Sequence, residues 1–457
     1  MIVVAFLVGL SVLLVVVRRP HIGLYMAIAA TAVLKSPELP IVREKLTAVE
    51  FLMVFTWIGI LITGIPQKKL PMSREASHNK VLAITFALWV LLCGVAHNMM
   101  TGWIFASSSM LETVNYIYGI CIYLTILYMV RDWTTWRNCL WAWVAGAVVA
   151  AGVGTMATIA RVPVWAIEDF TGRVNSTLRN ENQVPSFLLP ILPVVVILFA
   201  YSNRKLWHRV ALLALLGAML ITAVGTGSRT AIGMVILSVG GILGVWLYEG
   251  KTRQVKFSLI GSLGMALVVS TVMYFVVALA AFDGNYRLGK TPAWQRPAAM
   301  LTNWVTGKNG LDSTRPAQIQ ASFEHIGSYA LLGTGPKLAG KKLHIEEVHN
   351  TYVGLMIETG VFGILIFLIW LFHAAWLPFK KLRKEPSGYH RALLLALIAG
   401  FVVCLFYQNF CFGLRQRNIW ILTGLLAVTP ALIDRSGRQL MWLKQKRAMI
   451  EQKKSTI

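Results

Sequence analysis

The sequence predicts an all-α polytopic membrane protein, with about 12–13 transmembrane helices and one large, partly helical loop on a single face. Three observations carry that reading. Hydrophobic residues make up 56% of the 457 and charged residues only 14%, with a mean hydropathy of +0.64, unlike any soluble domain of this size. Apolar segments long enough to cross a hydrocarbon core recur from end to end. Basic residues collect in the short polar intervals at alternate segment ends.

In chain order, the apolar run that begins at Met1 and ends at Val17 lacks a basic start and a small-residue cleavage site, so it reads as a first span rather than a signal peptide. Further spans are expected at 22–34, 49–64, 81–97, 113–130, 138–160, 184–201, 208–225, 229–248 and 256–281, then at 350–378, 391–409 and 418–433. The chain divides into a transmembrane bundle (1–281), an outer loop (282–348), a second bundle (349–434) and a basic cytoplasmic tail (435–457). One set of intervals, with the tail, holds 26 of the 43 Lys and Arg against 6 of the 19 Asp and Glu. The positive-inside rule assigns that set to the cytoplasm. The tail is expected to lie along the anionic inner leaflet. In the outer loop, Ser313-Thr314-Arg315-Pro316 reads as a helix start, with hydroxyl caps and an early proline. Ile319, Phe323, Ile326 and Ala330 follow at helical spacing, so this helix should pack onto the membrane domain. Gly333-Thr334-Gly335-Pro336 ends it. No internal repeat stands out.

Several function classes fall away. A net charge of +24 would suggest nucleic acid in a soluble chain, but here the basic residues flank spans, and the partner is membrane lipid. Cys93, Cys121, Cys139, Cys404 and Cys411 lie in or beside apolar segments without a C-x-x-C pair, so neither a disulfide framework nor a zinc site is indicated. His344 and His349 are five apart and fit no zinc-protease spacing, and no Asp-x-Asp pair is present, so no metal is expected.

The candidate chemistry sits on the outer face. In Val348-His349-Asn350-Thr351-Tyr352, His349 stands where the long loop enters a span that also carries Glu358 and Gly360. An imidazole there can move protons near neutral pH, or it can be an idle rim histidine. Glu358, nine positions on, faces the other side of the helix and should brace a neighbour. His97 reads as a rim or core histidine, and Glu112 as a carboxylate without a named partner. Arg173 and Arg179 precede a span near Asn182, Arg229 opens one behind Gly227-Ser228, and Arg315 opens the loop helix. Each can be a snorkelling anchor. Taken together around one histidine, with Arg229 at a helix N-terminus, they suit a lipid diphosphate.

These residues carry a resemblance. His349-Asn350-Thr-Tyr352 with Glu358-Thr-Gly360, Leu332-Gly333-Thr-Gly335 before it, Thr226-Gly-Ser228-Arg229-Thr230, and Arg173 with Asn180-Glu-Asn182 stand in one order. Together they resemble the O-antigen ligase/polymerase superfamily of bacterial envelope enzymes. This chain has Glu181-Asn182 where that family often has Pro-Asn. The resemblance implies a multi-pass protein of the bacterial inner membrane whose site faces the periplasm. It implies a metal-independent, cofactor-free glycosyltransferase that takes glycan from undecaprenyl diphosphate. The acceptor is lipid A–core in the ligases, another lipid-linked repeat unit in the polymerases, and a protein Ser or Thr in the O-oligosaccharyltransferases.

The expected mechanism is a single inverting displacement. His349 would take or orient the acceptor proton. Arg229, Arg315 and one or both of Arg173 and Arg179 would hold the departing diphosphate. Asn182, Ser228, Asn350, Tyr352 and Glu358 are expected to support them. A moderate outer loop without an extra soluble domain favours ligase over polymerase. The rival from another class is a lipid-linked glycan transporter, which would favour charged or broken helices near the midplane and repeat symmetry.

Overall fold

The structure, a computed structural model, describes residues 2–34, 47–64, 74–104, 106–201, 206–249, 255–281, 292–296, 299, 302, 314–342, 348–385 and 387–455. The architecture is all α-helical: among the described residues the only extended pairing is an isolated bridge between Ile167 and Val174.

The helices are α1 (Ile2–Arg18), α2 (Pro20–Ala30), α3 (Ala48–Thr63), α4 (Arg74–Met100), α5 (Ala106–Met129), α6 (Trp133–Ile159), α7 (Gln183–Leu188), α8 (Leu192–Ala200), α9 (Leu206–Gly225), α10 (Arg229–Glu249) and α11 (Val255–Ala280). In the outer loop lie α12 (Thr314–Glu324), α13 (Ile326–Tyr329) and α14 (Ala339–Lys342). Then come α15 (Thr351–Lys381), α16 (Gly388–Tyr407) and α17 (Arg417–Ser455). Among the described residues, ten helical segments are long and apolar enough to cross a membrane, with α2 and α3 shorter. The protein is thus a multi-pass all-α membrane protein.

Local sequence explains the element ends. Thr47 caps α3 in a box with Glu50. Asp132 caps α6 through Thr135 N–H at 2.8 Å, and Ser387 caps α16. The span 183–200 is split into α7, a 3-10 turn at Leu189–Ile191, and α8, because Pro190 and Pro193 remove helical donors. That span is the centre of the bundle: 89% of it is buried, against 18% of Ile260–Ala280. Gly400 of α16 crosses it so closely that a Cβ would stand 2.0 Å from Pro190 O. Such small-residue contacts replace the hydrophobic drive that lipid does not supply. On the rim, Val269, Val272 and Val276 of α11 and Leu365, Ile369 and Phe372 of α15 are exposed, as lipid-facing stripes should be.

The last span and the tail form one helix: α17 has 39 residues, about 58 Å. Two expectations are corrected. The loop helix does start at Thr314 and Ile319 does pack, against Tyr329, Val348 and Ile357. It breaks at His325, however, so Phe323 and Ile326 fall on the exposed side. The turn between α4 and α5 is also tighter than the spans at 81–97 and 113–130 imply.

Candidate functional site

The site is built on a break in α15. Gly360 lies at φ 70°, ψ −176°, outside helical space. The break deprives three carbonyls of their helical donors, at a depth where an unmet polar group costs several kcal/mol. All three are met. Thr334 N–H donates to Ile357 O at 2.7 Å and Gly335 N–H to Glu358 O at 3.0 Å. The Trp89 indole N–H donates to Thr359 O at 2.8 Å. On the far side of the break, Val361 N–H donates to Ala330 O at 2.8 Å. A Cβ at Gly333 would stand 2.3 Å from Glu358 C and O, and one at Gly360 would stand 2.0 Å from Leu331 O. The Leu332–Gly335 and Glu358–Gly360 motifs are therefore two halves of one contact. The Glu358 carboxylate accepts from Tyr116 Oη at 2.6 Å and Lys337 N–H at 2.9 Å. It braces α5 and the loop.

Nine residues earlier, His349 stands at the mouth of the same helix. Asn350 is the N-cap, accepting from Tyr352 N–H and Val353 N–H at 3.0 Å each. Its amide donates to Asn409 O at 3.1 Å. Thr351 is buried, with its hydroxyl 2.6 Å from Gln408 Oε1 and accepting from Gly413 N–H at 2.8 Å. Tyr352 Oη donates to Leu405 O. Val348 is buried against Tyr329 and Ile357. From Val348 to Tyr352, only His349 is exposed.

The second limb joins the loop after α6 to the turn before α10. Arg173 is buried; its Nε donates to Thr226 O at 2.6 Å, and its other nitrogens meet Glu181 and Asn182 Oδ1. Ser228 Oγ donates to the same Asn182 oxygen at 3.2 Å. Arg173, by position a candidate snorkelling anchor, is instead held by three partners. Arg179 is exposed and reaches Leu34 O at 3.4 Å. Arg229 is half-buried as the first residue of α10. Arg315 is the second residue of α12, and its side chain lies outside the described ones, as does His344.

The polar linker after α16 brings the limbs together. Gln416 accepts from Ser186 Oγ at 2.5 Å and donates to Tyr407 Oη at 2.8 Å. Asn418 donates to Ser186 O at 2.5 Å. Ser186 is in α7, one turn beyond Asn182. One turn into α10, a Cβ at Gly233 would meet the Phe406 ring at 2.5 Å, and Phe406 O receives Asn409 N–H. The starts of α7, α10 and α15 thus converge on residues 406–418.

Spacing alone missed other pairs on this face. Arg415 Nε donates to Glu112 at 2.8 Å, and Arg417 to Glu50 at 2.9 Å, with Arg417 also over the Tyr118 ring. Lys342 Nζ lies 2.7 Å from His97 Nδ1. A partly open cavity of about 100 Å³ lies between α9, α10 and α11, with a largely apolar lining that includes Leu220, Val224, Ile232, Val235 and Tyr274, and also Ser228.

A multi-pass helical bundle in which the mouth of a broken helix and the starts of α7 and α10 are tied to residues 406–418 is the class that fold and site define. The family model described as O-antigen ligase matches residues 214–368, from within α9 to within α15. The match spans Ser228, Arg229, Arg315, His349 and Glu358 and bears out the resemblance to the O-antigen ligase/polymerase superfamily. In general terms it supports glycosyl transfer of the ligase or polymerase type, with a lipid-linked glycan and an acceptor as partners. Comparison with curated proteins gives no match.

Proposed function

We propose that this protein is an O-antigen ligase of the bacterial inner membrane. It transfers glycan from undecaprenyl diphosphate to a sugar hydroxyl of lipid A–core on the periplasmic face. The observation that carries the reading is the exposed His349 at a rigid helix mouth, tied through residues 406–418 to the starts of α7 and α10. The acceptor oxygen attacks the anomeric carbon, and the bond from that carbon to the diphosphate oxygen breaks. The acceptor proton passes to His349, and the bonding pair leaves with the diphosphate. Departure of the diphosphate drives the step, so neither a nucleotide nor a metal is required. Arg229, Arg315 and Arg179 hold the diphosphate. Arg173, already engaged by Glu181, Asn182 and Thr226, fixes the turn that presents Ser228 and Arg229. The apolar cavity beside Ser228 takes the first isoprene units of the donor.

The test is transfer by detergent-purified protein from an undecaprenyl diphosphate glycan to lipid A–core, without a membrane gradient, which a transporter could not perform. Wild type should transfer, and His349→Ala should lose at least ~100-fold in turnover while inserting normally. Full activity in that variant removes the histidine from the mechanism. Transfer only to a second lipid-linked repeat would make the protein a polymerase, and transfer to a protein hydroxyl would make it a protein O-glycosylating enzyme.

A further inference from the structure

His97 and Lys342 belong to neither the proposed base nor the diphosphate clamp, yet packing joins α14, which carries Lys342, to the residue before His349. His97 is in the last turn of α4, buried, and its Nδ1 is 2.7 Å from Lys342 Nζ in α14. Its Nε2 is buried and has no hydrogen-bond partner of ordinary geometry among the described residues, while the backbone of Leu332 and Gly333 lies beside the ring. Gly335, at φ +90°, sits so close that a Cβ would meet His97 Cβ at 2.8 Å. Lys342 is half-buried, and burial holds its ammonium below the ordinary lysine pKa. A charged lysine can only donate, so Nδ1 accepts and Nε2 carries the ring hydrogen toward the Leu332–Gly333 turn.

This pair leads on to the site by contact. Ala339, one turn before Lys342 on α14, packs against the cluster of Tyr329, Val348 and Ile357. Val348 precedes His349 in the chain. We infer that His97 and Lys342 form a latch that pins α14 to α4 and so sets the position of His349 through Ala339 and Val348, as positioning residues for the transfer. The inference rests on the glycosyl-transfer reading for its effect on rate, but the latch itself can be read without activity.

The experiment pairs hydrogen exchange with kinetics on the full-length protein in detergent. In wild type the amides of Leu338 and Lys342 are bonded to Gly335 O and Leu338 O and should be protected. In His97→Ala and in Lys342→Met their exchange should rise about tenfold, the effect of one lost charged hydrogen bond. In His97→Gln protection should return, since the amide can accept from Lys342 and donate to the turn. Turnover should fall about tenfold in the first two variants with the donor KM unchanged, recover in His97→Gln, and fall no further in the His97→Ala/Lys342→Met double variant. Unchanged exchange, or losses that add in the double variant, would overturn the latch. Altered exchange in a protein that shows no transfer even as wild type would leave the latch standing and sink the enzymatic reading instead.

Discussion

At the scale of single residues, the outer rim depends on side chains that close their own backbone turns. Glu168 is the half-buried example. Its carboxylate takes the Thr171 hydroxyl and the Thr171 and Phe170 N–H groups, while Gly172 N–H donates to Glu168 O at 2.8 Å. The Thr171 hydroxyl, foremost, and those backbone donors hold its pKa below the ordinary carboxylate value. A carboxylate depressed in the folded state adds stability above its unfolded pKa, and that stability is lost as pH falls through the folded value. The turn preceding Arg173 should therefore stay ordered at neutral pH and loosen below about pH 4. Amide protection at Thr171 and Gly172 as a function of pH reads this out, and Glu168→Gln should abolish the dependence. Protection that stays flat in wild type down to about pH 2 would mean that the carboxylate does not hold the turn.

At the scale of elements, the broken helix α15 explains why two glycine motifs accompany one histidine. The loop between α13 and α14 supplies donors to two of the carbonyls that the break exposes, Trp89 of α4 supplies the third, and the break in turn gives the loop a seat inside the bundle. Without the loop, Ile357 O and Glu358 O lose the donors they have, and without the break the Thr334 and Gly335 N–H groups lose their acceptors. Gly360→Ala would place a Cβ 2.0 Å from Leu331 O at φ +70°, which no rotamer change can relieve. We expect a loss of about 3 kcal/mol or more in stability, measured by thermal unfolding in detergent. Gly152→Ala makes the control: it lies within α6 with no atom inside 4 Å of the new methyl, and should be neutral or raise stability by about 0.5 kcal/mol. Equal melting temperatures for the two variants would show that the break is not a structural keystone.

At the scale of the whole molecule, hydropathy made the helical bundle legible in the sequence, because each apolar span is written in neighbouring residues. Pairings across the bundle were not. Glu112 meets Arg415 across 303 positions and Glu50 meets Arg417 across 367, and no local pattern encodes such distances. Arg173 reaches Thr226 O across 53 positions, and the spacing of Arg173, Glu181 and Asn182 within one loop does not show that they bond each other rather than an anion. The cavity of α9, α10 and α11 was equally invisible, since its lining reads in sequence as ordinary lipid-facing residues. That cavity bears the last prediction. A polyprenyl tail already lies in lipid, so moving it into an apolar groove gains little affinity; the groove serves to bring the diphosphate to Ser228 and Arg229 at the right depth. Val235→Trp should fill most of the space and lower kcat/KM for an undecaprenyl donor about tenfold, ~1.4 kcal/mol. A donor with a tail too short to enter the groove should be unaffected. Equal losses for both donors would point to a distorted bundle, and no loss for either would place the tail elsewhere on the protein.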